Sequence, residues 1–260
     1  MKHSPISTII LIIIFLIAQI VGLIINEIYF TKTLPYGFTP PKINTQISPL
    51  YFILSIIFIT AIFISLSKIH MNLLLKYWFF FVTFLCISIS LNAFLKSSIA
   101  LIIAFVITLI KLKERDIYVH NLGEILIYGG VVSLIAPIFN ITSIIILMIL
   151  ISIYDFISVN ITKYMIKLVS IQQKDGFFTG IISNFKKDFS ILGGGDIAFP
   201  LLFATIALRE VSMIHALSII YGSVIGILTI MIFGKRKKYY PAMPFITAGS
   251  ILGFMIANLL

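Results

Sequence analysis

The stretch ITSIIILMILISIYDFISVNI, residues 141–161, decides the fold. It is long enough to cross the hydrocarbon core as an α-helix, which takes about 20 apolar residues. Its single charged residue is Asp155. Runs of this kind recur along the chain. Of its 260 residues 60% are hydrophobic and only 11% are charged, and the mean hydropathy is +1.15. Soluble domains carry roughly 25% charged residues, so this is an integral membrane protein. A transmembrane barrel needs alternating apolar and polar residues. Ile9 to Ile20 does not alternate, so the fold class is all-α, a polytopic helix bundle.

Working outward, nine spans are expected at about 6–28, 49–67, 76–95, 98–110, 119–137, 141–161, 191–208, 213–233 and 241–259. The fourth is short, and the fifth is interrupted by Gly129, Gly130 and Pro137. Short or broken spans occur where helices surround an aqueous site. Lys2 and the apolar run after it resemble a signal peptide, but no small-x-small cleavage site follows, so a retained first helix is expected. With a cytoplasmic N-terminus, fifteen of the 19 basic residues fall in inside segments and four (Lys32, Lys42, Lys96, Arg209) outside. Positive charge marks the cytoplasmic side, which puts the N-terminus inside and the C-terminus outside.

One membrane-embedded domain, 1–260, is expected, with six spans in 1–161, a cytoplasmic connection at 162–190 and three spans in 191–260. Within the connection, Tyr164 to Val169 reads as an interfacial amphipathic helix, and the part around Lys174, Asp175, Gly176 and Gly180 as mobile. The loop at 31–48, with Pro35, Gly37, Pro40 and Pro41, is expected to be irregular. The net charge of +10 does not signal nucleic acid, because the basic residues sit in short stretches between spans. Lys235 to Lys238 fits topology and anionic headgroups. Cys86, the single cysteine, can form no intrachain disulfide and is read as packing. His120 and His215 suggest no metal pair, so neither metal nor cofactor is expected.

The chemistry begins with two aspartates at bilayer depth, Asp155 and Asp196, each a charge that costs at least about 2.5–3.5 kcal/mol to insert. The topology sets both toward the cytoplasmic ends of adjacent helices. Two close carboxylates cannot both ionise easily and titrate as a unit. One can then activate water while the other, protonated, polarises a carbonyl. A proton or cation relay uses the same pair, so from the aspartates alone hydrolysis and transport stand even. Gly193-Gly194-Gly195 before Asp196 lets another backbone approach closely; a plain helix contact would use the same glycines. A phosphate loop is excluded by the missing Lys-Ser/Thr and by the adjacent carboxylate. Pro241-Ala242-Met243-Pro244 opens the last span. It reads as a helix start, or as an extended cleft-lining segment with two N–H donors withheld.

Tyr154-Asp155, then Gly193-x-Gly195-Asp196, then Pro241-Ala242-Met243-Pro244, in this order, resemble the presenilin and signal peptide peptidase family of GxGD-type intramembrane aspartyl proteases. Asn121-Leu122-Gly123-Glu124 resembles a presenilin-type pattern as well. The motifs lie from about residue 119 onward, and Met243 replaces the leucine of the family's Pro-Ala-Leu. Without the long insertion of animal presenilins, the chain is most similar to compact archaeal presenilin homologues.

The resemblance implies that Asp155 and Asp196 are catalytic. It implies that Gly193, Gly194 and Gly195 shape the backbone beside Asp196, that Pro241, Ala242, Met243 and Pro244 position substrate, and that Tyr154 orients or shields the dyad. Glu124 then either caps a span or contacts the loop near the dyad. Glu27 is read as interfacial. The implied substrates are transmembrane helices of other proteins, met in the lipid bilayer of a cell membrane and cut toward its cytoplasmic side. Activity without partner subunits is implied, and a homo-oligomer stays open. Two alternatives stand beside this reading. One is a cation or proton-coupled transporter using the same aspartates. The other is a prepilin or preflagellin peptidase, which has fewer spans and lacks the third motif.

Overall fold

The computed structural model describes residues 5–40, 44–68, 72–113, 116–161, 178–185, 188–234 and 240–259. The segment 164–169 and the basic run 235–238 lie outside these residues. Nine α-helices run through the described part: α1 (Pro5–Thr31), α2 (Ser48–Lys68), α3 (Asn72–Asn92), α4 (Ser97–Lys113), α5 (Ile117–Ile135), α6 (Ile141–Phe156), α7 (Gly194–Glu210), α8 (Met213–Phe233) and α9 (Met243–Ala257). Between α6 and α7 lies an antiparallel hairpin, β1 (Gly180–Phe185) and β2 (Asp188–Gly193). Among the described residues, five stretches are long and apolar enough to cross a membrane: Pro5–Thr31, Leu73–Asn92, Ile117–Ile138, Ile141–Ile161 and Met213–Phe233.

Helix starts follow local chemistry. The Asp116 carboxylate accepts the Tyr118 and Val119 N–H groups at the head of α5. Asn140 and Ser143 form a reciprocal capping box on α6, which satisfies donors that a first turn leaves open. Ser212 caps α8 through the His215 N–H.

Three expectations are corrected. Residues 191–193 belong to a strand rather than to a span, and Gly180 begins the facing strand, so the segment ahead of α7 is paired backbone and not a loose connection. The fifth helix is also not interrupted: α5 runs through Gly129 and Gly130, and only Pro137 falls in a separate turn. The glycines serve close packing. A Cβ on Gly130 would overlap the Cys86 carbonyl of α3, and one on Gly129 would come within 2.6 Å of Ile25 on α1. Finally, Lys111, one of the fifteen basic residues counted in the inside segments, is not a solvated loop charge. It is buried between α4 and α5 and paired with Glu124, so the positive-inside bias rests on the other basic residues.

α1 is the centre of the bundle, packing against α5, α7 and the hairpin. Its Leu11, Phe15 and Ala18 are fully buried in a core shared with Ile144, Leu147, Ile197, Leu201 and Phe203. Gln19 of α1 donates to the Ile197 carbonyl of α7 at 2.9 Å. On the opposite end, Arg209 donates to the carbonyls of Ala136 and Phe139, tying α7 to the turn between α5 and α6. α6 packs against α2, α7 and α9, and α8 packs along α9.

Candidate active site

Asp155 lies in the last turn of α6 and Asp196 in the first turn of α7. The two helices touch. Both carboxylates are half-buried, and they are close enough to interact electrostatically. The structure therefore brings together the pair that the sequence could only place at similar depth.

Different backbones hold the two side chains. Met243 N–H donates to Asp155 Oδ2 at 3.1 Å, and the Ala242 N–H reaches the same carboxylate. Pro241 and Pro244 have no N–H, so within 241–244 only Ala242 and Met243 can donate. Their alignment also sets the positive end of a helix against the carboxylate. The third motif thus contacts a candidate catalytic group directly, a role beyond the substrate positioning implied by the resemblance. Pro241 and Met243 are buried, and Ala242 packs against the main core.

Asp196 is held by the hairpin. Its Oδ2 accepts the Gly193 N–H at 3.2 Å, the backward-reaching half of a capping box. Gly193 is also the last rung of the hairpin, paired with Gly180. Gly194 follows, with its N–H on the Thr179 carbonyl at 3.2 Å. A Cβ on Gly193 would come within 3.1 Å of Asp196 Oδ2, and one on Gly194 within 3.3 Å of the Tyr128 hydroxyl. Gly195 is exposed and has only ordinary contact with Phe199. Pro200, inside α7, lacks the N–H that would have bonded the Asp196 carbonyl. The turn carrying Asp196 is therefore incompletely locked into its helix.

Tyr154 is half-buried and packs against the main core. A turn before Asp155, Ser152 Oγ meets Thr247 Oγ1 of α9 at 2.7 Å. Thr247 in turn reaches the Met148 carbonyl at 3.3 Å. This polar rung sets the spacing of α6 and α9, and with it the reach of Met243 to Asp155. A double-mutant cycle with Ser152→Ala and Thr247→Val is expected to give a coupling of about 0.6 kcal/mol, the average for interhelical hydrogen bonds in membrane proteins. Unfolding titrations of the four variants measure it, and zero coupling would mean that the rung is idle. Nothing in the sequence singled out Ser152 or Thr247, since lone hydroxyls in apolar helices carry no pattern.

The family model for signal-peptide peptidase and presenilin aspartyl proteases matches residues 11–175. The chain belongs to that family. It is accordingly an intramembrane aspartyl protease, an aspartic endopeptidase. The matched stretch includes Tyr154-Asp155 and stops short of Asp196. Two solved structures extend the likeness of fold over nearly the whole chain. One, described as a presenilin family intramembrane aspartate protease in a C222 space group, is 19% identical with a TM-score of 0.73, over 97% of this chain and 98% of that one. The other, described in the same words in a P2 space group, is 21% identical with a TM-score of 0.71, over 96% of each chain. No curated protein matches the sequence. Family membership favours the presenilin-type protease over both the transporter and the prepilin-type alternative.

Proposed function

We propose that Asp155 and Asp196 are the catalytic dyad and that the substrate is a transmembrane segment of another protein. The observation that carries this reading is the placing of two half-buried carboxylates at the ends of two helices that touch, each held by a backbone N–H. In this scheme one carboxylate is ionised and takes a proton from water. The water oxygen attacks the scissile carbonyl. The other carboxylate, protonated, donates to the developing oxyanion and later returns a proton to the leaving amine.

A helical substrate must be unwound before attack, because its carbonyls are tied up in its own hydrogen bonds. The hairpin offers a way to hold the unwound chain. Antiparallel pairing leaves alternate rungs facing outward. β1 meets α5 at Gly180 and Ile182, so their partners Gly193 and Ile191 point away from β1 along the other edge of β2. A substrate strand added there runs straight to Asp196. The edge of β2 is the one proposed for the substrate, and the head of α9 holds the other aspartate. Gly193, Gly194 and Gly195 keep the approach clear, and Pro241, Ala242, Met243 and Pro244 support Asp155 and border the substrate. Tyr154 orients α6 through the core.

The finer topology belongs to the same proposal. The chain is one domain with nine spans, the N-terminus cytoplasmic and the C-terminus outside. Six spans lie in 1–161 and three in 191–260, and the segment 162–190 is the cytoplasmic connection between them. The protein sits in a cell membrane and works without partner subunits. Purified protein incubated with a single-span substrate is expected to yield two products by mass spectrometry, with none when an aspartyl-protease transition-state mimic is present. Cleavage indifferent to that mimic would refute the assignment.

A further inference from the structure

α5 lays a ladder of side chains along the outer edge of β1. His120 Nε2 meets the Gly180 carbonyl at 2.8 Å. Asn121 accepts the Ile182 N–H at 3.0 Å and donates to the Ile182 carbonyl at 2.8 Å, as a neighbouring strand would. Glu124 Oε2 accepts the Gly180 N–H at 3.0 Å and the Tyr128 hydroxyl at 2.5 Å. Its Oε1 pairs with the Lys111 ammonium at 2.6 Å. Glu124 is wholly buried, and the Lys111 side chain is 2% exposed. Gly123 leaves room for that lysine: a Cβ there would come within 2.8 Å of its stem.

A buried ion pair is a poor way to gain stability, since well-packed apolar residues of similar volume do as well or better. What an apolar pair lacks is an acceptor for the Gly180 N–H. That rung is also the one that reaches the dyad. Gly180 pairs with Gly193, whose N–H holds Asp196, and the Tyr128 hydroxyl lies against Gly194. Gly180 itself has φ +147°, and a Cβ there would overlap the Leu192 carbonyl, so the rung cannot shift to suit another residue. We propose that Glu124, neutralised by Lys111, is a positioning residue for Asp196, fixing the hairpin rung whose Gly193 N–H orients that carboxylate. The inference rests on the dyad assigned above and goes beyond it.

The test compares two uncharged pairs in the full-length protein with a single-span substrate. Lys111→Met with Glu124→Gln removes both charges and keeps an acceptor for Gly180. Lys111→Met with Glu124→Met removes the acceptor too. The Gln pair is expected to keep kcat within about threefold of the parent, and the Met pair to lose about tenfold to hundredfold in kcat. KM should stay within about twofold in both, because uniform substrate binding is untouched. The Met pair is expected to melt lower, because it leaves the buried Gly180 N–H and Tyr128 hydroxyl without an acceptor. The kcat values are therefore compared well below both melting transitions, where each protein is fully folded. A purely structural role then predicts equal kcat, and a positioning role predicts the loss. Equal kcat in the two folded pairs overturns the inference. If the Met pair fails to fold, Glu124→Asp decides. It keeps the charge against Lys111 but is one methylene too short to reach Gly180 as well, so a folded variant with parental kcat also overturns it. All these variants retain Asp155 and Asp196. An inactive parent, or an active Asp196→Asn, would instead refute the dyad.

Discussion

Asp155→Asn and Asp196→Asn are each expected to abolish cleavage while leaving a folded protein. Asparagine keeps the shape of the side chain and one carbonyl acceptor. The Met243 N–H at Asp155 and the Gly193 N–H at Asp196 therefore keep a partner in either variant. Stability should hold or improve, because two facing carboxylates become one. Catalysis has no such substitute. An amide can neither take a proton from water nor return one to the leaving amine, and losing a positioned acid or base costs about 10²–10⁴-fold in rate. The two roles belong to one reaction, so the double variant should be little worse than either single one, as for residues that act as a unit. Product formation by mass spectrometry, together with thermal melting of each variant, checks this. A folded single variant cutting within about tenfold of the parental rate would remove that aspartate from the chemistry.

The helices were legible because each apolar run has to bury or solvate its own backbone in lipid, and only a helix does that locally. Expected spans such as 141–161 and 213–233 correspond closely to α6 and α8 with the turn after α6. The hairpin was not legible. Strands announce themselves by alternation, but here the buried positions are Ile181, Ser183, Ser190 and Leu192, and the intervening ones include Ile182 and Ile191. Serines inside and isoleucines between leave no period of two to read. The pairing is also defined by a partner outside the strand: Asn121 and Glu124 occupy the edge that another strand would otherwise cover. The four-residue pattern around Glu124 is visible as a motif, yet its task depends on Lys111, which charge counting placed among the basic residues of an inside segment. Long-range partners of single buried polar residues are the part of a site that a linear pattern does not carry. The motifs at Asp155, Asp196 and Pro241 were legible as residues. Their connection, with α9 donating to one aspartate and β2 to the other, needed the fold.

Replacing Gly249 or Gly222 by valine is expected to cost at least about 3 kcal/mol, the upper end of overpacking penalties, because the obstacle is backbone rather than a side chain that can rotate away. A Cβ on Gly249 would overlap the Gly222 carbonyl, and one on Gly222 the Gly249 carbonyl. Gly253 faces the Ser218 carbonyl and Gly226 the Phe245 carbonyl with the same lack of room. Each helix thus presents glycines four residues apart, 222 and 226 on α8 and 249 and 253 on α9, the spacing that lets two membrane helices approach through their backbones. Ser223 and Ser250 add a buried hydroxyl pair at 2.8 Å along the same seam. Lipid supplies no hydrophobic drive between helices, so van der Waals contact along this seam must carry the association. The consequence reaches the dyad, since α9 begins at Met243, whose N–H holds Asp155. Forcing α8 and α9 apart withdraws that donor, so the valine variants should lose cleavage together with melting temperature. Gly195→Ala separates this effect from mere loss of glycine. Its Cβ meets only Phe199 at 3.4 Å, an ordinary contact, and alanine is better than glycine in a helix by about 1 kcal/mol. That variant should melt at or above the parental temperature, whereas a Gly249→Val protein that melts with the parent would show the seam to be looser than its glycines require.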